Sequence, residues 1–215
     1  MALQHNPSIV TSGLIACFDP ANPRTYSGSG TTIYDASGNG YTGTLVNGVT
    51  YTTSNGGLFV LDGTDDYIDI PINLSTTNYT IMGVSRYIGA TGRNRTFSAK
   101  NNNWLMGHWS GTTENHYAEG WVTAVGAGPG DNNWRIYAAS GNISGDSYNF
   151  YVNGVLNTGP STGGSAGPNG FAIGSYAGSS EFSNAQIGFM LVYNTVLTAA
   201  QIAQNFNAYR GRYGI

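Results

Sequence analysis

The chain has 215 residues, ordinary for one large all-β sandwich, and no polar linker divides it. Only 9% of its residues are charged and its net charge is -3, so it offers no basic stripe for duplex nucleic acid or for an anionic membrane. A single cysteine excludes an intrachain disulfide, and no apolar run approaches the length of a bilayer span, so insertion into a membrane is not expected.

Glycine supplies 32 residues, and the alternating apolar segments are short, the pattern of many strands joined by tight turns. The fold class is all-β. With one lysine and seven arginines, the surface is built from Ser, Thr, Asn, Gly and Tyr. Such a surface opposes self-association only weakly, which leaves a homo-oligomer open.

Residues 1–12 have no periodicity and contain Asn6-Pro7, which predicts an extended arm ahead of a single domain over 13–215. The amino terminus lacks a basic region followed by an apolar run, so synthesis in a cytoplasm without a signal peptide is the expectation. Leu3, Ile9 and Val10 are the arm's candidates for burial on a neighbour.

The first strand is expected over 13–18, with Leu14, Ala16 and Phe18 on one face and Ile15 and Cys17 on the other. Cys17 reads as a small apolar filler. Asp35-Ala36-Ser37-Gly38-Asn39-Gly40 gives a turn, followed within 43–48 by a short strand and another turn. Further strands are expected over 58–61, 67–70, 79–87, 95–100, 104–109 and 117–125, each bounded by Gly, Asn or Pro. The period of two turns Ile68 and Ile70 inward.

Arg86, Arg93, Arg95 and Lys100 read as a solvated basic loop. Trp134 and Ile136 alternate with Arg135 and Tyr137, which places Trp134 in the core. Asn153-Gly154 separates two apolar runs and predicts a two-residue hairpin. Strands follow over 171–175 and 185–193, the latter setting Ile187, Phe189, Leu191 and Tyr193 against Gly188, Met190 and Val192. A helix over about 199–209 starts from a Thr198/Gln201 capping box, with Leu197 and Ile202 as staple and Gly211 as its expected end.

Asp35-x-Ser37-Gly38-Asn39-Gly40, Asp62-Gly63-Thr64-Asp65-Asp66-Tyr67, Tyr151-Val152-Asn153-Gly154 and Val192-Tyr193-Asn194 before Leu197-Thr198-x-x-Gln201-Ile202 together resemble the laminin-G-like members of the concanavalin A-like lectin/glucanase superfamily. The resemblance implies a jelly-roll sandwich of two antiparallel sheets with adjacent terminal strands. The stretch from His5 to Thr32 is similar to the version of this domain found in virion proteins of tailed bacteriophages. That implies location in a virion, with major capsid or other virion proteins as partners.

The superfamily's glucanases use closely spaced Glu and Asp on one strand, because retaining hydrolysis needs two carboxyls about 5 Å apart. This chain has only Glu114, Glu119 and Glu181, and the nearest constellation, Glu114-x-His116-x-x-Glu119, does not share one strand face. No catalytic residue is expected.

Calcium is the chemical alternative, because laminin-G-like domains often bind it through loop aspartates; Asp65 and Asp66 are the candidates here. The competing reading has Asp62 and Asp65 tighten the turn through Asx hydrogen bonds. Trp104 and Trp109, flanked by Asn101-Asn102-Asn103 and Ser110-Gly111, are the candidates for stacking on a sugar. The expectation is a non-catalytic virion component, a capsid-exterior decoration protein with an adhesive role. A head- or tail-fibre lectin for host-surface glycans is the alternative, ahead of a glycan hydrolase.

Overall fold

Alternating apolar residues bounded by turn residues form fifteen strands within residues 8–215, the part of the chain described by this computed structural model. They are Leu14–Phe18 (β1), Thr32–Tyr34 (β2), Thr42–Val46 (β3), Thr50–Thr52 (β4), Leu58–Asp62 (β5), Tyr67–Asn73 (β6), Tyr79–Tyr87 (β7) and Phe97–Ser98 (β8). Trp104–Trp109 (β9), Thr112–Ala118 (β10), Arg135–Asn142 (β11), Ser147–Val152 (β12), Val155–Ser161 (β13), Asn169–Ile173 (β14) and Asn184–Tyr193 (β15) follow, before the helix Ala199–Tyr213 (α1).

The strands form two antiparallel layers. The first is an eight-stranded sheet in the order β13-β12-β11-β7-β15-β5-β4, with β1 also on β15. The terminal strands are therefore adjacent, as the resemblance implied. The second layer consists of β10-β9-β8 and β14-β6-β3-β2, joined by an Ala99–Phe171 bridge. Between the layers lies one apolar core, with Phe59, Ile81, Tyr137 and Phe150 from the first and Ile68, Ile70, Phe97, Trp104 and Phe171 from the second.

A second core covers the outer face of the first layer. Met82, Val84, Ile136, Phe189 and Leu191 are sealed there by Leu197, Ile202 and Tyr213. Trp134 belongs to this group, as alternation predicted. The helix starts from the predicted capping box, in which Gln201 N–H donates to Thr198 Oγ1 at 3.3 Å and Gln201 Oε1 accepts from Thr198 N–H at 2.9 Å. It runs past Gly211 and is closed by Gly214 in the left-handed region, so the expected end at Gly211 is wrong by one turn. Packing of Tyr213 against Trp134 and Phe189 pulls the last turn onto the sheet and outweighs the helix-weakening glycine.

Bulges correct two facial assignments. In β1, Leu14 pairs with Tyr193 and Ala16 with Val192, so one extra residue is accommodated and Leu14 faces the helix side with Cys17. In β15, Ile187 pairs with Ser85 and Met190 with Gly83. Ile187 thereby joins Met190 and Val192 in the central core, while Phe189, Leu191 and Tyr193 face α1. A one-residue slip exchanges the two faces of a strand.

Four segment assignments also change. The expected strand over 117–125 ends at Ala118, because Glu119 takes a positive φ of 57° and the chain folds back to bridge Tyr117 with Trp121. The strand expected over 95–100 shrinks to β8, and β11 was not foreseen as a strand. Finally, residues 8–12 are no free arm. Val10 is buried: its N–H donates to Asn205 Oδ1 at 2.8 Å and its carbonyl accepts from Tyr193 Oη at 2.9 Å. Gln204 Nε2 also donates to the Ser8 carbonyl, and Ile9 packs on the helix-side core. Val10 and Ile9 are thus spent on their own domain, against the expectation that they serve a virion neighbour; Leu3 lies outside the described residues.

Candidate functional site

Strand alternation sorts the aromatic residues of β9 and β10 between the interior and the outer face of the second layer. Ala118 and Val122 enter the central core, whereas Tyr117 and Trp121 are partly exposed. Trp121 meets Trp109 with ring centroids 5.2 Å apart and meets Tyr117 at 5.2 Å. Three rings in contact thus form an aromatic surface, and Trp109 was the residue of this group singled out from sequence.

Trp104 is not part of it. Its side chain is fully buried, its indole N–H donates to Tyr79 Oη at 2.8 Å, and its ring packs edge-on against Tyr79 and Phe171. Flanking asparagines suggested a loop edge, but Trp104 opens a strand whose register turns it inward, so it cannot stack on a ligand.

A polar frame holds the aromatic surface. Glu181 Oε2 accepts from Arg95 Nε at 2.7 Å and from Trp109 Nε1 at 2.9 Å. Arg95 is buried, stacks 4.4 Å over Tyr176, and donates through Nη1 to Asn103 Oδ1 at 2.8 Å and Ser98 Oγ at 3.4 Å. Asn103 N–H in turn donates to Glu119 Oε1 at 2.7 Å. The basic cluster is therefore not a solvated loop. Arg93 is held by the Gly89 and Gly130 carbonyls, Arg86 by Gln186, and Lys100 by Asp69. Burying Arg95 is tolerable because its donors find fixed acceptors.

The carboxylates considered for catalysis are dispersed over separate partners. Glu114 pairs with Arg135 at 3.1 Å and accepts from Asn157, while Asp131 pairs with the same guanidinium at 2.6 Å. Arg135 holds the Asp131 carboxyl well below the usual carboxylate range. His116 faces the interior, stacked on Phe150, with Nδ1–H donated to the Leu105 carbonyl at 2.9 Å. Burial pushes its imidazole down to about 4, and burial pushes His108 down to about 3, so both are neutral at pH 7.

At the far end of β5, Asp62, Asp65 and Asp66 bring one carboxylate oxygen each within 4.8 Å of one another. Sequence reasoning named Asp65 and Asp66 for calcium and left Asp62 to the turn. Asp62 does accept from Thr64 N–H at 2.7 Å, and Asp66 Oδ2 accepts from Asp62 N–H at 3.1 Å. The Asx turn is real, but Asp66 rather than Asp65 closes it. Asp66 is only 4% exposed, and desolvation raises its pKa; the Asp62 N–H bond opposes this, and the Asp62 and Asp65 carboxylates add smaller upward effects. Among the described residues none of the three forms an ion pair with a basic side chain, so a hard cation fits the donor set.

Cys17 is buried on the helix side, where burial pushes its thiol up to about 12. It is no nucleophile at neutral pH. No helix among the described residues is long and apolar enough to cross a membrane.

Similarity to known proteins agrees with this architecture. Domain 4 of AbnA, a GH43 extracellular arabinanase from Geobacillus stearothermophilus, in complex with arabinotriose, superposes with a TM-score of 0.62 at 21% identity, over 90% of this chain and 98% of that one. The binding domain of Paraclostridial Mosquitocidal Protein 1 gives 0.66 at 14% identity, over 93% of this chain and 53% of that one. Trypanosoma rangeli sialidase in complex with sialic acid gives 0.65 at 13% identity, over 94% of this chain and 34% of that one. At such identities the likeness concerns the fold. A search by sequence among curated proteins finds no significant match. A family model described as the concanavalin A-like lectin/glucanases superfamily matches residues 62–203, most of the sandwich and the first turn of its helix, and the chain belongs to that family.

Proposed function

We propose that this domain binds carbohydrate without cleaving it, through the Tyr117–Trp121–Trp109 surface and its polar frame. The observation that carries the reading is the Trp109–Glu181–Arg95 chain of contacts, which fixes a partly exposed indole from a buried cation. Aromatic faces supply apolar area to the C–H side of a sugar ring, and fixed polar groups beside them supply hydrogen bonds. The similarity to an arabinanase domain in complex with arabinotriose, nearly all of which this chain spans, supports the same reading.

Hydrolysis is not part of the proposal. A glycosidase needs two carboxyls facing one bond. Here Glu114, Glu119 and Glu181 are committed to Arg135, to the Asn103 backbone, and to Arg95 with Trp109. Calcium belongs to the proposal as a structural ion, held by Asp62, Asp65 and Asp66, where it would neutralise the triad and stiffen the turn between β5 and β6. On a phage particle, as the amino-terminal resemblance implies, such a domain would serve as an adhesive decoration that meets host glycans.

Glycan-array screening followed by tryptophan fluorescence titration tests the reading. Arabinotriose and neutral and sialylated oligosaccharides are suitable probes. Binding to at least one, lost by about tenfold or more in Trp121→Ala and Trp109→Ala with the fold intact, is the expected result. Failure of the wild-type protein to bind any glycan would overturn it.

A further inference from the structure

We propose that a polar groove next to the aromatic surface is a second saccharide subsite, one that takes an uncharged sugar unit and makes the domain prefer oligosaccharides to single sugars. The inference rests on the carbohydrate-binding reading above. The groove has a volume of about 270 Å³ and lies on the second layer, between Thr42 and Thr44 of β3, Asp69 of β6, Lys100 and Asn101 after β8, and Gly170 of β14. Thr42 and Thr44 are exposed, while Leu45 between the layers is buried, so these threonines belong to the outer face. At about 30 Å³ per water, the space equals several waters and admits one sugar ring.

Gly170 keeps the groove open. A Cβ there would lie 3.1 Å from Asn101 Nδ2 and 3.3 Å from Lys100 Cβ, and the residue's φ of 65° disfavours any other side chain.

The chemistry of the lining selects the ligand. Lys100 and Asp69 form an ion pair whose side chains remain 34% and 26% exposed. The contact uses Asp69 Oδ2, which leaves Oδ1 as an acceptor and further ammonium N–H groups as donors. Neighbouring hydroxyls of a sugar donate and accept at once, so they match a carboxylate and an ammonium side by side, and the bonds are charge-assisted. Thr42, Thr44 and Asn101 add uncharged partners. An acidic sugar fares worse, because Lys100 is already neutralised, Asp69 would repel it, and Arg95 is turned to Glu181.

The two sites share the outer face of the second layer. Leu105 of β9 pairs with Tyr117 on one side and with Ser98 on the other, so Tyr117 and Ser98 lie two strand spacings apart, about 10 Å, and Lys100 follows two residues on, about 7 Å along an extended chain. One glycan chain laid across the outer face can therefore touch both.

Isothermal titration calorimetry of the whole chain with neutral gluco-, manno-, galacto- and arabino-oligosaccharides of one to six units, and with oligogalacturonates, tests this. A neutral oligomer of three or more units should bind about tenfold or more tighter than its monomer. Lys100→Met, Asp69→Asn and Thr44→Val should each collapse that difference, with Thr44→Val leaving the ion pair in place as the control for folding. Oligomer affinity unchanged in all three variants, with Trp121→Ala still abolishing binding, would overturn the subsite and leave the carbohydrate reading standing. Tighter binding of oligogalacturonates than of neutral chains would overturn the uncharged class. No binding of any probe by the wild-type protein would overturn both.

Discussion

The indole N–H of Trp109 donates to Glu181 Oε2 at 2.9 Å, so a strand-end tryptophan is aimed by a loop carboxylate 72 positions away in the chain. The same oxygen balances Arg95, which is only 5% exposed. Glu181→Ala should therefore act twice, freeing the indole and stranding a buried cation. A stability loss of about 2 kcal/mol is expected, below that of a fully buried pair because the Glu181 side chain is 35% exposed. Urea denaturation measures it, and Glu181→Gln, which keeps an acceptor, should lose less.

Calcium should raise the melting temperature if the aspartate triad binds it, since a ligand specific to the native state stabilises by mass action. At a concentration one hundred times the dissociation constant the gain is about 2.7 kcal/mol. Differential scanning calorimetry with calcium chloride and with EDTA decides this. Asp66→Asn should abolish the response, and Asp65→Asn should weaken it.

Acid should destabilise the domain through its buried histidines. The native pKa values of His116 and His108 are lowered to about 4 and about 3, below the ordinary 6.5, so the unfolded state binds more protons. Stability is complete above pH 6.5 and falls as the pH drops, by about 1.4 kcal/mol per pH unit for each histidine, until each native pKa is passed. Asp131, depressed by Arg135, adds loss in the same direction below the ordinary carboxylate range, whereas Asp66, raised by burial, opposes it. Denaturation between pH 7 and pH 4 should show this slope, and His116→Gln should reduce it.

Gly154 of the predicted hairpin has φ of 78°, and a Cβ there would sit 2.8 Å from the Phe206 ring. Gly154→Ala should cost about 1–2 kcal/mol from backbone conformation alone, plus a clash term. A double-mutant cycle separates the two, because Phe206→Ala should remove only the clash. Phe206 is half-buried, so its own truncation should cost about 1–2 kcal/mol, less than a core phenylalanine.

Cys17 should resist a thiol reagent at pH 8 until the protein is unfolded, since burial raises its pKa to about 12. Reaction at the rate of a free thiol in the native state would show that the helix side opens.

Short-range chemistry made much of the fold readable from sequence. Tyr79–Tyr87 and Trp104–Trp109 occupy the strands expected, Asn153-Gly154 turns the hairpin, and Thr198 with Gln201 starts the helix. Each depends on periodicity, on a left-handed backbone preference or on a cap, all of which act within a few residues. The same locality made the Asx role of Asp62 legible, whereas the closing partner was read as Asp65 and is Asp66.

Tertiary structure decided the rest. A single extra residue in β1 and another in β15 exchanged which side chains face which core, and no local pattern marks such a bulge. Trp104 and Trp109 have similar polar flanks, yet one is fully buried and the other partly exposed, because an indole suits an interior as well as a ligand surface. The joining of Arg95 to Glu181, of Lys100 to Asp69 and of Val10 to Asn205 depended on which strands and helix became neighbours. Those contacts form between residues far apart in sequence, so only the closure of the two layers could bring them within hydrogen-bonding distance.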